Sequence, residues 1–207
     1  ANMAMGAVDG LANEEKVGNV YDYSIDLITS FDGNDSLDVT INAGEGDNHL
    51  QELDLTDTGD ALMIDSISYT RSVGQYLTFY VSDGGDGSAL FSKACAYEGQ
   101  TNVLDDCGNN ATGLDAGFGT AFSASVDVGN GLQVAVGYEG EGDKPEGLMT
   151  NDGVDAYGVQ VSYIKDNYGL SFTFVDSENF NTDYDLTGGE TEYSAFNAFY
   201  QPSIDRF

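Results

Sequence analysis

Carboxylates dominate the groups in this chain that can do chemistry. Its 207 residues hold 36 Asp and Glu against 6 Lys and Arg, a formal net charge of -30. Carboxylate oxygens bind hard cations, and they do so best where a turn brings backbone carbonyls alongside them. Two Asp/Gly turns have that character: Asp83-Gly84-Gly85-Asp86-Gly87 and Asp32-Gly33-Asn34-Asp35. Asp83, Asp86, Asp32 and Asp35 are therefore the candidate metal ligands, with calcium as the ion their chemistry fits. Neither turn matches the twelve-residue helix–loop–helix pattern, and ordinary acidic turn chemistry is the competing reading. No other cofactor is indicated.

Covalent catalysis has no constellation to stand on. The single histidine, His49, sits in Asp47-Asn48-His49-Leu50, which reads as a solvated loop. A nucleophile paired with it has no second supporting group. Adjacent acids such as Asp105-Asp106 can serve a glycosidase in principle, but chance pairs are expected in so acidic a chain. We expect no enzyme. The two cysteines, Cys95 and Cys107, lie twelve positions apart in one long loop. Two thiols closing a short loop predict a disulfide and an oxidising compartment. A two-cysteine zinc site lacks the further ligands that it needs.

The same charge balance excludes partners. Nucleic acid and anionic lipid surfaces are bound through basic patches, and six basic residues cannot supply one. Hydrophobic residues make up 41% of the chain, too many for a disordered acidic polymer. Twenty-seven Gly, 2 Pro, 13 Tyr and 11 Phe favour closely spaced strands and turns over helices. No apolar run approaches the ~20 residues that a membrane-crossing helix requires.

These residues must be positioned by strands. Period-two alternation marks nine of them: Tyr21–Phe31, Leu37–Ala43, Leu62–Ser72, Tyr76–Ser82, Gly117–Val128, Leu132–Glu139, Ala156–Ile164, Tyr168–Asp176 and Glu192–Gln201. In Leu132–Glu139, for example, Leu132, Val134, Val136 and Tyr138 oppose Gln133, Ala135, Gly137 and Glu139. Gaps between the strands alternate between short and long. The short ones are turns such as Gly129-Asn130-Gly131, and the long ones carry most of the acid. A sandwich has no reason to put all its tight turns at one end, whereas a transmembrane β-barrel has short turns at one end and long loops at the other. Several strands approach the ten residues that a tilted strand needs to cross a bilayer, and Tyr and Phe gather near their ends, where interfacial girdles sit.

We therefore expect an all-β, antiparallel up-and-down meander forming a transmembrane β-barrel or a segment of one. Residues 1–19 read as an N-terminal segment and 20–207 as the barrel region. The expected function is passive diffusion of small hydrophilic solutes, with cations preferred over anions, through a homo-oligomeric outer-membrane pore in contact with lipid. The loop Asp83–Ala116 is the candidate constriction, with Asp86, Lys93, Asp105 and Asp106 as its charged members. An odd strand count leaves an unpaired edge. That supports a second expectation: a secreted acidic β-protein that builds an extracellular filament or layer by strand exchange and divalent-cation bridging.

A family resemblance points the same way. It rests on Tyr21-Asp22-Tyr23-Ser24-Ile25-Asp26-Leu27 leading into Thr29-Ser30-Phe31-Asp32-Gly33-Asn34-Asp35-Ser36-Leu37, and on Ile64-Asp65-Ser66-Ile67-Ser68-Tyr69 before Val73-Gly74. It continues through Leu104-Asp105-Asp106-Cys107-Gly108-Asn109, Gly129-Asn130-Gly131-Leu132, Asp155-Ala156-Tyr157-Gly158-Val159 and Asp166-Asn167-Tyr168-Gly169-Leu170. In that order these segments resemble the barrel region of the outer-membrane porins of marine cyanobacteria, which join an S-layer-homology region to a carbohydrate-porin-like barrel. The resemblance covers the chain from about Tyr21 onward and implies an outer-membrane location.

Overall fold

Alternating apolar and polar residues rich in Val, Ile, Tyr, Phe and Thr suit a pleated strand, which sends successive side chains to opposite faces. A computed structural model describes residues 1–7, 17–45, 55–92, 94, 114, 119–142, 145, 147–150, 154–177 and 191–201. They form ten strands: β1 (Asn2–Ala7), β2 (Val17–Thr29), β3 (Asp35–Glu45), β4 (Met63–Val73), β5 (Leu77–Asp83), β6 (Thr120–Gly129), β7 (Leu132–Gly140), β8 (Asp155–Lys165), β9 (Tyr168–Ser177) and β10 (Thr191–Tyr200). All lie in one antiparallel sheet in sequence order. Among the described residues β1 pairs only with β2 and β10 only with β9, so the sheet is not closed into a barrel. No helix of the described residues is long and apolar enough to cross a membrane.

The strand count is one more than the alternation indicated, because β1 falls within residues 1–19. Its pattern was hard to read in Asn2-Met3-Ala4-Met5-Gly6-Ala7, where small and apolar residues mix without a polar beat. Pairing from Asn2↔Asp22 to Ala7↔Val17 ties this segment to the sheet. The count is therefore ten among the described residues.

Turn chemistry sets the even connections. β6 and β7 are joined by Asn130-Gly131, both at positive φ (57° and 89°), which is the two-residue hairpin that Asn-Gly favours. Asp166 at φ 45° begins the equally short β8–β9 turn. The β4–β5 turn uses Gly74 at φ 68°. All the longer connections, 8–16, 46–62, 84–119, 141–154 and 178–190, join strands at the opposite end.

Registers also show a steep stagger. One row of paired residues runs Thr29, Leu37, Tyr69, Val81, Phe122, Tyr138, Tyr157, Asp176 and Glu192. It begins at the turn end of β2 and finishes at the loop end of β10, so the strands lie tilted to the pairing direction. Tilt of this kind is what a sheet needs in order to curl toward closure. A bulge between Thr40 and Ile41 of β3 moves the pairing so that Ile64 faces Ile41 and Asp65 is left out.

Candidate functional site

The two faces of the sheet have opposite characters, and solvent exposure is inverted relative to a water-soluble protein. One face carries Ile25, Leu27, Val39, Ile67, Phe79, Val81, Phe122, Val126, Val136, Val159, Val161, Leu170, Phe172 and Phe196. The pairs Val134↔Val161, Val136↔Val159 and Val161↔Phe172 make it continuous. These side chains stand exposed: Val136 by 50%, Phe172 by 52% and Phe196 by 67%. The buried residues are mostly small or polar and include Ser123, Ser125, Ser162, Ser171, Thr173 and Gln160, the last only 1% exposed. They line the other face. Water-soluble folds do the reverse, because burying apolar area is their main source of stability.

Charge follows this division only along the middle of the strands. The polar face bears Asp22, Asp26, Asp38, Asp127 and Glu139, whereas Asp35, Glu45, Asp83, Asp155, Asp176 and Glu192 belong to the apolar face at or next to strand ends. The basic residues on the described strands, Arg71 and Lys165, project from the apolar face near the turn end. Aromatic side chains cluster on that apolar face at both ends. Phe122, Tyr138 and Tyr157 stack in sequence, with centroids 5.8 Å and 5.2 Å apart, and Tyr163 meets Tyr168 at 5.9 Å.

The described residues of the β5–β6 connection, 84–92, 94, 114 and 119, include several that dock on the polar face. Its two arms meet at the base, where Gly84 N donates to the Gly119 carbonyl (2.5 Å) and Ser88 N to the Leu114 carbonyl (3.2 Å). Gly87 N donates to Glu139 Oε2 (3.3 Å), and the Ser123 hydroxyl donates to the Gly87 carbonyl. Further along, Ser92 N donates to Gln160 Oε1 (2.5 Å), whose amide in turn donates to Thr173 Oγ1 (2.9 Å). Leu114 is fully buried against Ala156 and Val175, with Phe91 and Tyr193 packed around them. Val175, the one residue that breaks the alternation of β9, is thus the sheet's contribution to this small core.

Two paired glycines make the contact possible. Gly137 and Gly158 face each other across β7 and β8. A Cβ at Gly137 would collide with the Gly87 carbonyl, and one at Gly158 with Leu114. Glycine inside a strand costs stability unless something must approach closely, and here the loop does. Beyond the loop, polar hollows of about 300 Å³ and 190 Å³ open on the same face, both bordered by Asp127 and Gln133.

The sequence-derived candidates fare unequally. Asp86 belongs to the loop over the polar face. Asp83 pairs between Ile67 and Thr120 on the apolar side, so the structure does not bring these two together as ligands. Asp32 and Asp35 do share one turn. Asp35 Oδ1 accepts from the Ser30 hydroxyl (2.8 Å), Phe31 N (2.9 Å) and Asp32 N (3.1 Å), and its Oδ2 accepts from the Tyr69 hydroxyl (2.9 Å). Asp32 pairs with Arg71 at 2.8 Å. Burial works to raise the Asp35 carboxyl, but these donors outweigh it and hold the group well below the usual carboxylate range. Lys93, Asp105, Asp106, Cys95 and Cys107 lie outside the described residues, as does His49. Among the described residues no group of three or more His, Cys, Asp or Glu is placed to hold a metal.

Sequence reasoning overlooked Glu139, Gln160, Leu114 and the Gly137–Gly158 pair. Glycines at polar-face positions in the middle of two adjacent strands were the available signal. Comparison with protein-family models, with curated proteins and with solved structures finds no match.

Proposed function

We propose that this sheet is the wall, or part of the wall, of an outer-membrane porin, with its apolar face against lipid and its polar face toward a water-filled lumen. The inverted partition of side chains carries this reading: large apolar residues stand exposed on one face while Ser, Thr, Gln and Glu are buried on the other. In a membrane barrel that arrangement is the stable one, because lipid replaces water outside and the lumen is polar. Strand lengths of 7 to 13 residues in β2 to β10, the stagger and the aromatic clusters at both ends fit the same environment. The motifs that resemble the marine cyanobacterial porins add support from the sequence.

Passage is passive in this reading. Small hydrophilic solutes and ions diffuse past the β5–β6 loop, which narrows the lumen from within. Carboxylates on the polar face, without Lys or Arg beside them on the described strands, concentrate cations there. Reconstitution into planar bilayers tests this directly. We expect ion conductance with a reversal potential favouring cations at low salt, declining as salt shortens the screening length toward roughly 8 Å at 0.15 M. Anion preference contradicts the reading.

A second reading is favoured by the two open edges. Strand addition at β1 and β10 by neighbouring copies would build an extracellular layer or filament. Ordered polymers by electron microscopy, with no conductance, support that alternative.

A further inference from the structure

The apolar face is not smooth. Across β4 to β7 one row of paired residues runs Arg71, Phe79, Ala124 and Val136. The next row on the same face carries Val81 and Phe122. Ala124 is the small residue among these large ones, and a groove of about 490 Å³ opens over it. That volume suits a small ligand. The groove crosses three strand spacings, about 14 Å. Because the strands are staggered it runs obliquely. It starts at Arg71, two residues from the turn end of β4, and leads toward the loop end of β7.

The Arg71 mouth has the character of a membrane–water boundary. Tyr69, beside it, packs on Phe31 with centroids 6.5 Å apart, and such aromatics mark the interface of a barrel. Arg71 Nη2 donates to Asp32 Oδ2 (2.8 Å) and Nη1 to the Tyr69 hydroxyl (3.3 Å). A guanidinium offers five N–H donors, and these bonds use two. The Arg71 and Asp32 side chains both stay nearly half exposed. One cation and one anion therefore stand side by side where the apolar groove reaches the interface.

From this we infer that the groove binds a zwitterionic phospholipid with a primary ammonium in its headgroup, one acyl chain lying over Ala124. The phosphate meets Arg71, whose planar donors match its oxygens. The ammonium meets the Asp32 carboxylate and donates to it. Charge complementarity selects this headgroup. An anionic headgroup without an amine would set its phosphate against Asp32, on a chain of net charge -30. A quaternary ammonium has no N–H to give Asp32. The site rests on the reading that the apolar face meets lipid, and not on conduction.

Lipid-selective quenching tests the site. Phe79→Trp puts a reporter in the groove, and Phe172→Trp puts one on the same face four strands away, on β9. The full chain carrying either substitution is folded in phosphatidylcholine vesicles. Phosphatidylethanolamine with brominated acyl chains is then added in small increments. Quenching of Phe79→Trp should saturate at a low fraction of the brominated lipid. Quenching of Phe172→Trp should only follow that fraction in proportion. Brominated phosphatidylcholine and phosphatidylglycerol should act in proportion at both positions. In the Phe79→Trp chain, Arg71→Gln should weaken the selective quenching tenfold or more. Ala124→Leu fills the groove, leaves the headgroup pair intact and should abolish the selectivity. Lys165→Gln, on the same face outside the groove, should change nothing. Circular dichroism should show the same strand content throughout. Proportional quenching at both positions by all three lipids overturns the site and leaves the lipid-facing sheet standing. Saturation by phosphatidylglycerol or phosphatidylcholine as readily as by phosphatidylethanolamine overturns the headgroup assignment. Selective quenching that survives Ala124→Leu overturns the groove as the chain's seat. No quenching at either position refutes the lipid-facing reading, and this site with it.

Discussion

Asp35 shows how a single carboxylate can organise a turn in a chain crowded with carboxylates. Its side chain is 1% exposed, and it collects donors from Ser30, Phe31, Asp32 and Tyr69. Because the folded-state pKa is depressed, its stabilising contribution is present in full above the ordinary carboxylate range near pH 4. It is lost as pH falls further, through the lower folded value. We expect the Phe31 and Asp32 amides to stay protected from hydrogen exchange at pH 4, where free carboxylates are half protonated. Asp35→Asn should remove that protection even at pH 7, and unchanged protection in the variant would contradict this role. At the same scale, Val136 and Val161 stand in the middle of the apolar face. Arg at either should destabilise the membrane-inserted state by about 2–4 kcal/mol, measured by denaturant titration in vesicles. Near-zero cost would mean that the face meets water.

The strands themselves were readable from alternation, since a half-buried sheet imposes a period of two on side-chain polarity whichever face meets the core. Turns were equally readable where Gly or Asn-Gly supplies a positive φ, as at Asn130-Gly131. β1 was not legible, because Ala and Gly occupy the positions where a polar beat would show. Nor was the loop docking, because long-range contacts such as Ser92 with Gln160 leave no local pattern. The exceptions to the pattern were the informative places. Val175 breaks the alternation because Leu114 packs on it, and Gly137 and Gly158 are bare because the loop passes over them. Gly158→Ala should therefore push Leu114 off the sheet. The expected result is faster proteolysis of the β5–β6 loop and a larger single-channel conductance, with strand content retained. Unaltered loop protection in Gly158→Ala would refute the docking. The metal candidates were half legible: the sequence displays acidic turns, but only the register shows that Asp83 and Asp86 part company across the sheet.

At the scale of the whole molecule, the account rests on which face meets lipid. The chain contains no tryptophan, so a single introduced one is an unambiguous reporter. Trp placed at Val136, Val161 or Phe172 samples the apolar face, and Trp at Ser125, Ser162 or Ser171 samples the polar face. In vesicles whose acyl chains carry bromine, the account predicts strong quenching for the first three and little for the last three, with emission bluer on the apolar side. Equal quenching on both faces, or none at Val136, Val161 and Phe172, would contradict a lipid-facing sheet and with it the proposed pore.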